Sequence, residues 1–66
     1  KQRPRPSRTD PDAWGECPSW APIKGNADSM IYHVPGGRWY DATIAEECFT
    51  TESAARAAGY RPSRNG

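Results

Sequence analysis

The 66-residue sequence lacks any apolar run near the ~18 residues that a membrane-spanning helix requires. It also lacks a signal-peptide pattern, and it begins at Lys1 rather than at Met, so we expect a processed product or part of a longer protein. No serine or cysteine lies in a nucleophile motif, and Glu46 and Glu47 are adjacent rather than separated as a catalytic acid–base pair. We therefore predict neither a membrane span nor an enzyme.

The chain is too short for a large hydrophobic core. Seven prolines and six glycines are spread along it, which allows one small domain at most. After the loss of backbone entropy, roughly 1–2 kcal/mol per fixed residue, a core of this size leaves only a few kcal/mol of stability. We therefore expect the fold to depend on a covalent link or on a partner, and we expect a monomer.

Cys17 and Cys48 are the only cysteines, and they are the candidate disulfide. A bond closing a loop of about thirty residues would restrict the unfolded chain by roughly 3–4 kcal/mol in the loop-entropy model. Such a bond forms only in an oxidising compartment, whereas in a reducing one both thiols would pack as small apolar groups. The sequence leaves both states open.

Positive charge is concentrated at the two ends of the chain, although the net charge is only +1. The first eight residues hold four basic residues, two prolines and no acid, so we predict an extended, polyproline-like basic arm over residues 1–9. Guanidinium groups bind phosphate oxygens through paired hydrogen bonds, so the arm could bind nucleic acid. The alternative is that the arm is a solvated linker to a preceding domain. The predicted nucleic-acid-binding residues are Lys1, Arg3, Arg5, Arg8, Arg61 and Arg64.

Residues 10–22 follow as an irregular lead-in, because they contain three prolines and no hydrophobic periodicity. Trp14 and Trp20 lie in this segment. We expect at least one of them to cap the core from outside. The alternative is that an exposed indole stacks on a nucleic-acid base.

Residues 23–40 have the pattern of a β-hairpin. A short strand at 23–25 leads into a Gly-Asn turn, and alternating residues at 29–34 predict a second strand. Pro35, Gly36 and Gly37 interrupt it, and an extended segment should restart at Trp39 and Tyr40.

The C-terminal half has the pattern of a single capped helix. Residues 43–47 predict a turn, and Cys48 and Phe49 predict a short extended return. Thr51 is the expected N-cap of a helix over 52–58, with Gly59 as the left-handed residue after it. We therefore predict an α+β fold, a small hairpin or meander packed on one C-terminal helix. The expected core is Phe49, Ile31 or Ile44, Tyr32, Tyr40 and Ala54.

The order of these features resembles the sunset domain, a small module appended to other bacterial proteins and related to the Ada-type zinc-binding domain. The matching pattern is GN..S.IYH.PGG..Y..T..E.CF..E.AA.AAGYR, which lies within residues 24–61. The resemblance implies an Ada-like scaffold with a domain over 23–62 and a tail over 63–66.

Ada-type domains hold zinc with four cysteines, and the resemblance places those positions on His33, Gly37, Ser63 and Gly66. Three of these four residues are not ordinary zinc ligands, so we expect no metal, no cofactor and no methyl-accepting chemistry. In place of the metal, His33 should hold the Pro-Gly-Gly corner, which includes Gly36, by hydrogen bonds from its ring nitrogens.

Two functions fit the sequence. The first is a cytoplasmic, non-catalytic accessory module that docks on structured nucleic acid, foremost ribosomal RNA, beside neighbouring proteins. The second is an extracytoplasmic or membrane-protein-associated module that binds a protein or an envelope polymer and is stapled by a Cys17–Cys48 disulfide.

Overall fold

The computed structural model describes residues 6–64, which form an α+β domain of one five-stranded sheet and one short helix. The strands are short because turns and prolines interrupt the chain at close intervals. In chain order the elements are β1 Arg8–Thr9, β2 Ile23–Asn26, β3 Ile31–His33, β4 Glu47–Phe49, α1 Glu52–Ala57 and β5 Arg61–Pro62.

The spatial order of the sheet is β1-β4-β2-β3-β5, so the first and last strands form its opposite edges. All neighbouring strands are antiparallel except β3 and β5, which run parallel. The edge position of β5 suits Pro62, which has no N–H to donate to a further strand. Within residues 6–64, no helix is long and apolar enough to cross a membrane.

The predicted hairpin is present as β2 and β3, with Gly25 opposite Tyr32. The turn between them is fixed by Asn26, whose Oδ1 accepts the Asp28 N–H at 3.0 Å, and by Met30, which adopts a positive φ of 56°. The second strand is shorter than predicted, since it covers Ile31–His33 only.

The predicted extended restart at Trp39 and Tyr40 is wrong. Residues 35–42 instead form consecutive turns, in which Gly37 N–H donates to Val34 O and Tyr40 N–H to Gly37 O. The physical reason is that the buried ammonium group of Lys24 donates a hydrogen bond to the Tyr40 carbonyl, which an extended segment would direct elsewhere.

Two strands were not predicted. Arg8 and Thr9, at the end of the predicted arm, pair with Phe49 and Cys48 of β4. Arg61 N–H donates to Met30 O at 2.9 Å, which joins β5 to β3. The lead-in between β1 and β2 has no strand, but its backbone is bonded to the domain through Ala45 N–H, which donates to Gly15 O at 2.9 Å.

Helix α1 begins as predicted, because the Thr51 side chain accepts the Ala54 N–H at 3.1 Å and Glu52 lies in the first turn. The helix ends at Ala57, one residue before the predicted end, and Gly59 then adopts a positive φ of 96°. Ala55 is the fully buried alanine of this helix, whereas Ala54 is only half-buried.

The core contains Ile23, Tyr32, Phe49, Ala55 and Tyr60. The rings of Phe49 and Tyr60 meet edge to face, with centroids 5.2 Å apart. Gly25 lies beneath both rings, and a Cβ there would lie 3.0 Å from Tyr60 and 3.1 Å from Phe49, so a larger residue would push these rings outward by a few tenths of an ångström.

Phe49 and Tyr32 are therefore correctly predicted core residues, and Tyr60 was missed. Ile44 is wrong as a core residue because 73% of it is exposed, and Ile31 and Tyr40 are only half-buried. The Ala45 N–H bond to Gly15 fixes the backbone beside Ile44, while Ala45 rather than Ile44 faces the interior.

We predict that Phe49→Ala lowers the free energy of unfolding by about 3–5 kcal/mol, because it removes the central ring and leaves a cavity. Ile44→Ala is the matched control, since truncation of an exposed side chain should change stability by less than about 0.5 kcal/mol. Thermal and denaturant melts measure both variants. Equal melts for Phe49→Ala and the parent would show that the core assignment is wrong.

Candidate functional site

The predicted basic arm lies mostly outside the described residues, since Lys1, Arg3 and Arg5 precede residue 6. Arg8 is described, and its Nη1 lies 3.1 Å from Glu47 Oε2. Glu47 also accepts a hydrogen bond of 2.7 Å from the Tyr60 hydroxyl through Oε1. Burial, and then Glu47, raise the pKa of Tyr60 to about 12, so the hydroxyl stays a donor at neutral pH. Arg8 is thereby connected to the core and is not a free arm residue.

The C-terminal arginines lie far from Arg8. Arg61 and Arg64 are both exposed and, with Pro62 and Ile31, line one shallow depression at the β5 edge. Arg8 lies on β1, at the opposite edge, and four strand spacings of about 4.8 Å place β1 and β5 about 19 Å apart across the sheet. The basic residues predicted as one set therefore do not form one cluster in the described part of the chain.

The described part of the chain is acidic rather than basic. Residues 6–64 contain six Lys or Arg and eight Asp or Glu, a net charge of −2, whereas Lys1, Arg3 and Arg5 bring the whole chain to +1. Arg56 is additionally paired with Glu52 at 3.7 Å. Affinity for a polyanion would therefore depend on the residues before the first strand.

Lys24 on β2 is a charged residue in the interior, and its side chain is completely buried. Its Nζ donates to the carbonyl oxygens of Tyr40 at 2.9 Å and Thr43 at 3.0 Å, and lies 3.2 Å from Glu16 Oε1. The same atom is 4.4 Å from the centroid of the Tyr40 ring. These contacts satisfy all three N–H donors of the ammonium group and hold the 40–43 turns against the sheet.

His33 follows Tyr32 on β3 and lies opposite Lys24. The structure shows no hydrogen bond at one of its ring nitrogens, since Nδ1 is buried and has no partner among residues 6–64. Burial, and secondly the charge of Lys24, lower the pKa of His33, so its ring is neutral at pH 7. The corner beyond it is held by the Gly37 N–H bond to Val34 O and by Gly36, whose φ is +84°.

Cys17 and Cys48 form a disulfide with their Cα atoms 5.6 Å apart. The bond joins the lead-in to β4, and Cys48 packs with Ala21 and Ala45 in a second buried cluster. Trp20 packs against this cluster, whereas Trp14 is 79% exposed. In the described part of the chain, no group of three or more His, Cys, Asp or Glu residues is placed to hold a metal ion.

Sequence reasoning missed Lys24, because a lysine inside a short strand has no local signal of burial. It also missed the link from Arg8 through Glu47 to Tyr60, which joins residues far apart in the sequence. The flanking residues Ile23 and Gly25 face the opposite side of the strand, so they gave no sign that Lys24 is buried.

We predict that Lys24→Met lowers the free energy of unfolding by about 2 kcal/mol or more, because each carbonyl that loses its donor costs about 1–3 kcal/mol. Arg64→Met is the matched control, since it removes an exposed charge and should leave stability within about 0.5 kcal/mol of the parent. Denaturant melts compare the two. A Lys24→Met variant as stable as the Arg64→Met variant would contradict the structural role of the ammonium.

Comparison with known proteins identifies a family and a curated relative. The model of the ArfC family matches residues 2–62. Large ribosomal subunit protein uL4 of Cutibacterium acnes (strain DSM 16379 / KPA171202) is 51% identical over 43 residues, which are 65% of this chain and 14% of that protein. The chain thus matches a small segment of that relative. No solved structure matches the chain.

Proposed function

The chain belongs to the ArfC family, and we propose that it is a non-catalytic accessory module that docks on structured nucleic acid, foremost ribosomal RNA. The observation that carries this proposal is the 51% identity to a 43-residue segment of a large ribosomal subunit protein. Because the segment is 14% of that protein, the likeness supports a shared module and not a shared whole-protein role.

The basic arm supplies the polyanion contact in this proposal. Three of the nine positive charges precede residue 6, and no acid lies among them, whereas the folded part has an excess of acids. Strand β1 then anchors the arm beside β4 at one edge of the sheet. Arg61 and Arg64 offer a second phosphate contact at the opposite edge of the sheet, about 19 Å from β1.

The contacts of the acidic residues support a non-catalytic role. Glu47 is engaged by Arg8 and Tyr60, and Glu46 Oε1 accepts the Ala27 N–H at 2.7 Å. The likeness to the sunset domain, with its Ada-like scaffold, is part of the same proposal. The hairpin, the Pro-Gly-Gly corner and the capped helix follow one another in the order of that pattern.

The arm prediction is tested with Arg3→Gln/Arg5→Gln, which spares Arg8 because Arg8 belongs to the sheet. Each lost phosphate contact should lower the slope of log affinity against log salt by about one unit, so we expect a change of about two units. Co-sedimentation with ribosomes from low to high KCl measures the slope.

Arg38→Gln/Arg56→Gln is the charge-matched control, since both arginines lie in the folded part. It should leave the slope close to that of the parent. A parent chain that does not bind ribosomes at low salt, or equal slopes for the two double variants, would rule out the arm.

A second function is favoured by the disulfide. Structural disulfides persist in oxidising compartments and are rare in the cytosol. The Cys17–Cys48 bond therefore favours an extracytoplasmic or membrane-protein-associated module that binds a protein or an envelope polymer.

The state of the two thiols in cells separates the functions. Cells that produce the full-length protein are quenched with acid and treated with a maleimide reagent before and after reduction. Ribosome docking in the cytoplasm predicts that Cys17 and Cys48 are both modified without prior reduction. Modification only after reduction would show that the disulfide exists in the cell and would favour the second function.

A further inference from the structure

We propose that the Cys17–Cys48 disulfide is a redox switch, and that its reduction by a dithiol releases residues 10–17 from the sheet while the rest of the domain stays folded. Cys17 and Cys48 are the only cysteines, so apart from the backbone no other disulfide holds this segment to β4. The proposal concerns the conformation of the domain and does not depend on ribosome docking.

The segment that would be released contains a self-contained turn. The Asp12 N–H donates to Glu16 O at 2.9 Å, and Asp12 Oδ1 accepts the N–H groups of Trp14 at 2.9 Å and of Glu16 at 3.0 Å. Gly15 permits the reversal of the chain because it adopts a positive φ of 77°. All of these hydrogen bonds lie inside the turn, so it keeps its shape without the sheet and can move as one unit.

Three consecutive residues attach this turn to the rest of the described domain. Gly15 O accepts the Ala45 N–H at 2.9 Å, Glu16 Oε1 lies 3.2 Å from Lys24 Nζ, and Cys17 carries the disulfide. One hydrogen bond and one ion pair with a half-exposed carboxylate contribute little on their own. The covalent bond therefore decides whether the turn stays on the sheet.

The two sulfur atoms differ in their access to a reductant. Cys48 is completely buried between Ala21 and Ala45, whereas Cys17 is half-buried, so a thiolate of the dithiol attacks Cys17 Sγ. The disulfide bond breaks, and its electron pair leaves on Cys48 Sγ, which takes a proton from water. The second thiol of the reductant then displaces Cys17 as a free thiol. The dithiol is oxidised to a disulfide, and the protein gains two electrons and two protons.

The rest of the domain has contacts that do not involve the released segment. The larger core cluster contains no residue before Ile23, and β1, β2 and β3 keep their pairings. Lys24 keeps the Tyr40 and Thr43 carbonyls as acceptors. Water can replace Glu16 at the ammonium group, because the Glu16 side chain is already 56% exposed. Reduction should therefore open the domain locally.

Amide hydrogen exchange of the full chain tests the switch, with the oxidised form compared with the form reduced by dithiothreitol at the same pH. We expect the Ala45 amide to exchange about tenfold faster or more after reduction, because its acceptor Gly15 O moves away. The Tyr60 amide, which donates to Ala55 O at 3.0 Å, should change by less than about twofold. The variant Cys17→Ala/Cys48→Ala should reproduce the reduced pattern without reductant.

Two outcomes of this experiment would overturn the proposal. Unchanged exchange at Ala45 would show that the turn stays in place without the disulfide. An equal acceleration at Tyr60 would show that the bond staples the whole domain and does not control one segment.

The release of Glu16 has its own test, in which Glu16→Gln is measured in both redox states by denaturant melts. In the oxidised form it should raise the equilibrium constant for unfolding about fivefold or more, because the buried Lys24 ammonium loses its carboxylate partner. In the reduced form the change should be less than about twofold, because Glu16 has already left.

Asp28→Asn is the matched control, since its carboxylate has no hydrogen bond or ion pair within residues 6–64. It should change the unfolding constant by less than about twofold in either state. An equal effect of Glu16→Gln in the oxidised and reduced forms would show that Glu16 does not respond to the disulfide, and the redox switch would be rejected.

Discussion

The buried ammonium group of Lys24 is the constraint on which much of this small domain depends. Removal of a charge from water costs several kcal/mol unless the protein replaces the lost hydration. Here the replacement comes from Glu16 in the lead-in and from the Tyr40 and Thr43 carbonyls in the turns after β3. Two segments without regular structure are thus bound to the central strand by one side chain, which explains how a chain with such short strands has a defined shape.

The arrangement of charge follows from the order of the strands. The described chain enters at the β1 edge, where Arg8 is paired with Glu47, and reaches Arg61 and Arg64 at the β5 edge. Asp28 and Glu46 lie beside the hairpin, so charges of both signs are exposed on the domain although they balance almost completely in the sequence. A net charge near zero in this chain results from opposite local charges and not from a neutral surface.

The features predicted correctly are those fixed by residues close in sequence. The Thr51 cap and the Gly59 stop are local choices, and so is the turn at Asn26. The pairing of Arg8 with Phe49 was not predictable, because two residues of strand pattern have no periodicity and the partner lies far along the chain.

Ile44 and Tyr60 show the same limit for the core. Hydrophobicity predicts that Ile44 is buried, but the backbone beside it is fixed by the Ala45 N–H bond to Gly15 O. Tyr60 is buried through its ring contact with Phe49. Both contacts depend on tertiary structure. At the candidate site, His33 Nδ1 has no partner among residues 6–64, and this depends on how distant segments pack around β3 rather than on the local sequence.

The disulfide also determines how the domain would respond to mechanical force. Cys17 and Cys48 are 31 positions apart, so the oxidised chain keeps β2 and β3 inside a covalent loop. A pull on the two ends could extend only the residues outside that loop and would leave about 100 Å of contour length locked. Strands β1 and β5 would detach first, since both lie at sheet edges and outside the loop. In its oxidised form the module would therefore extend only to a limited length under force, and its central hairpin would remain inside the covalent loop.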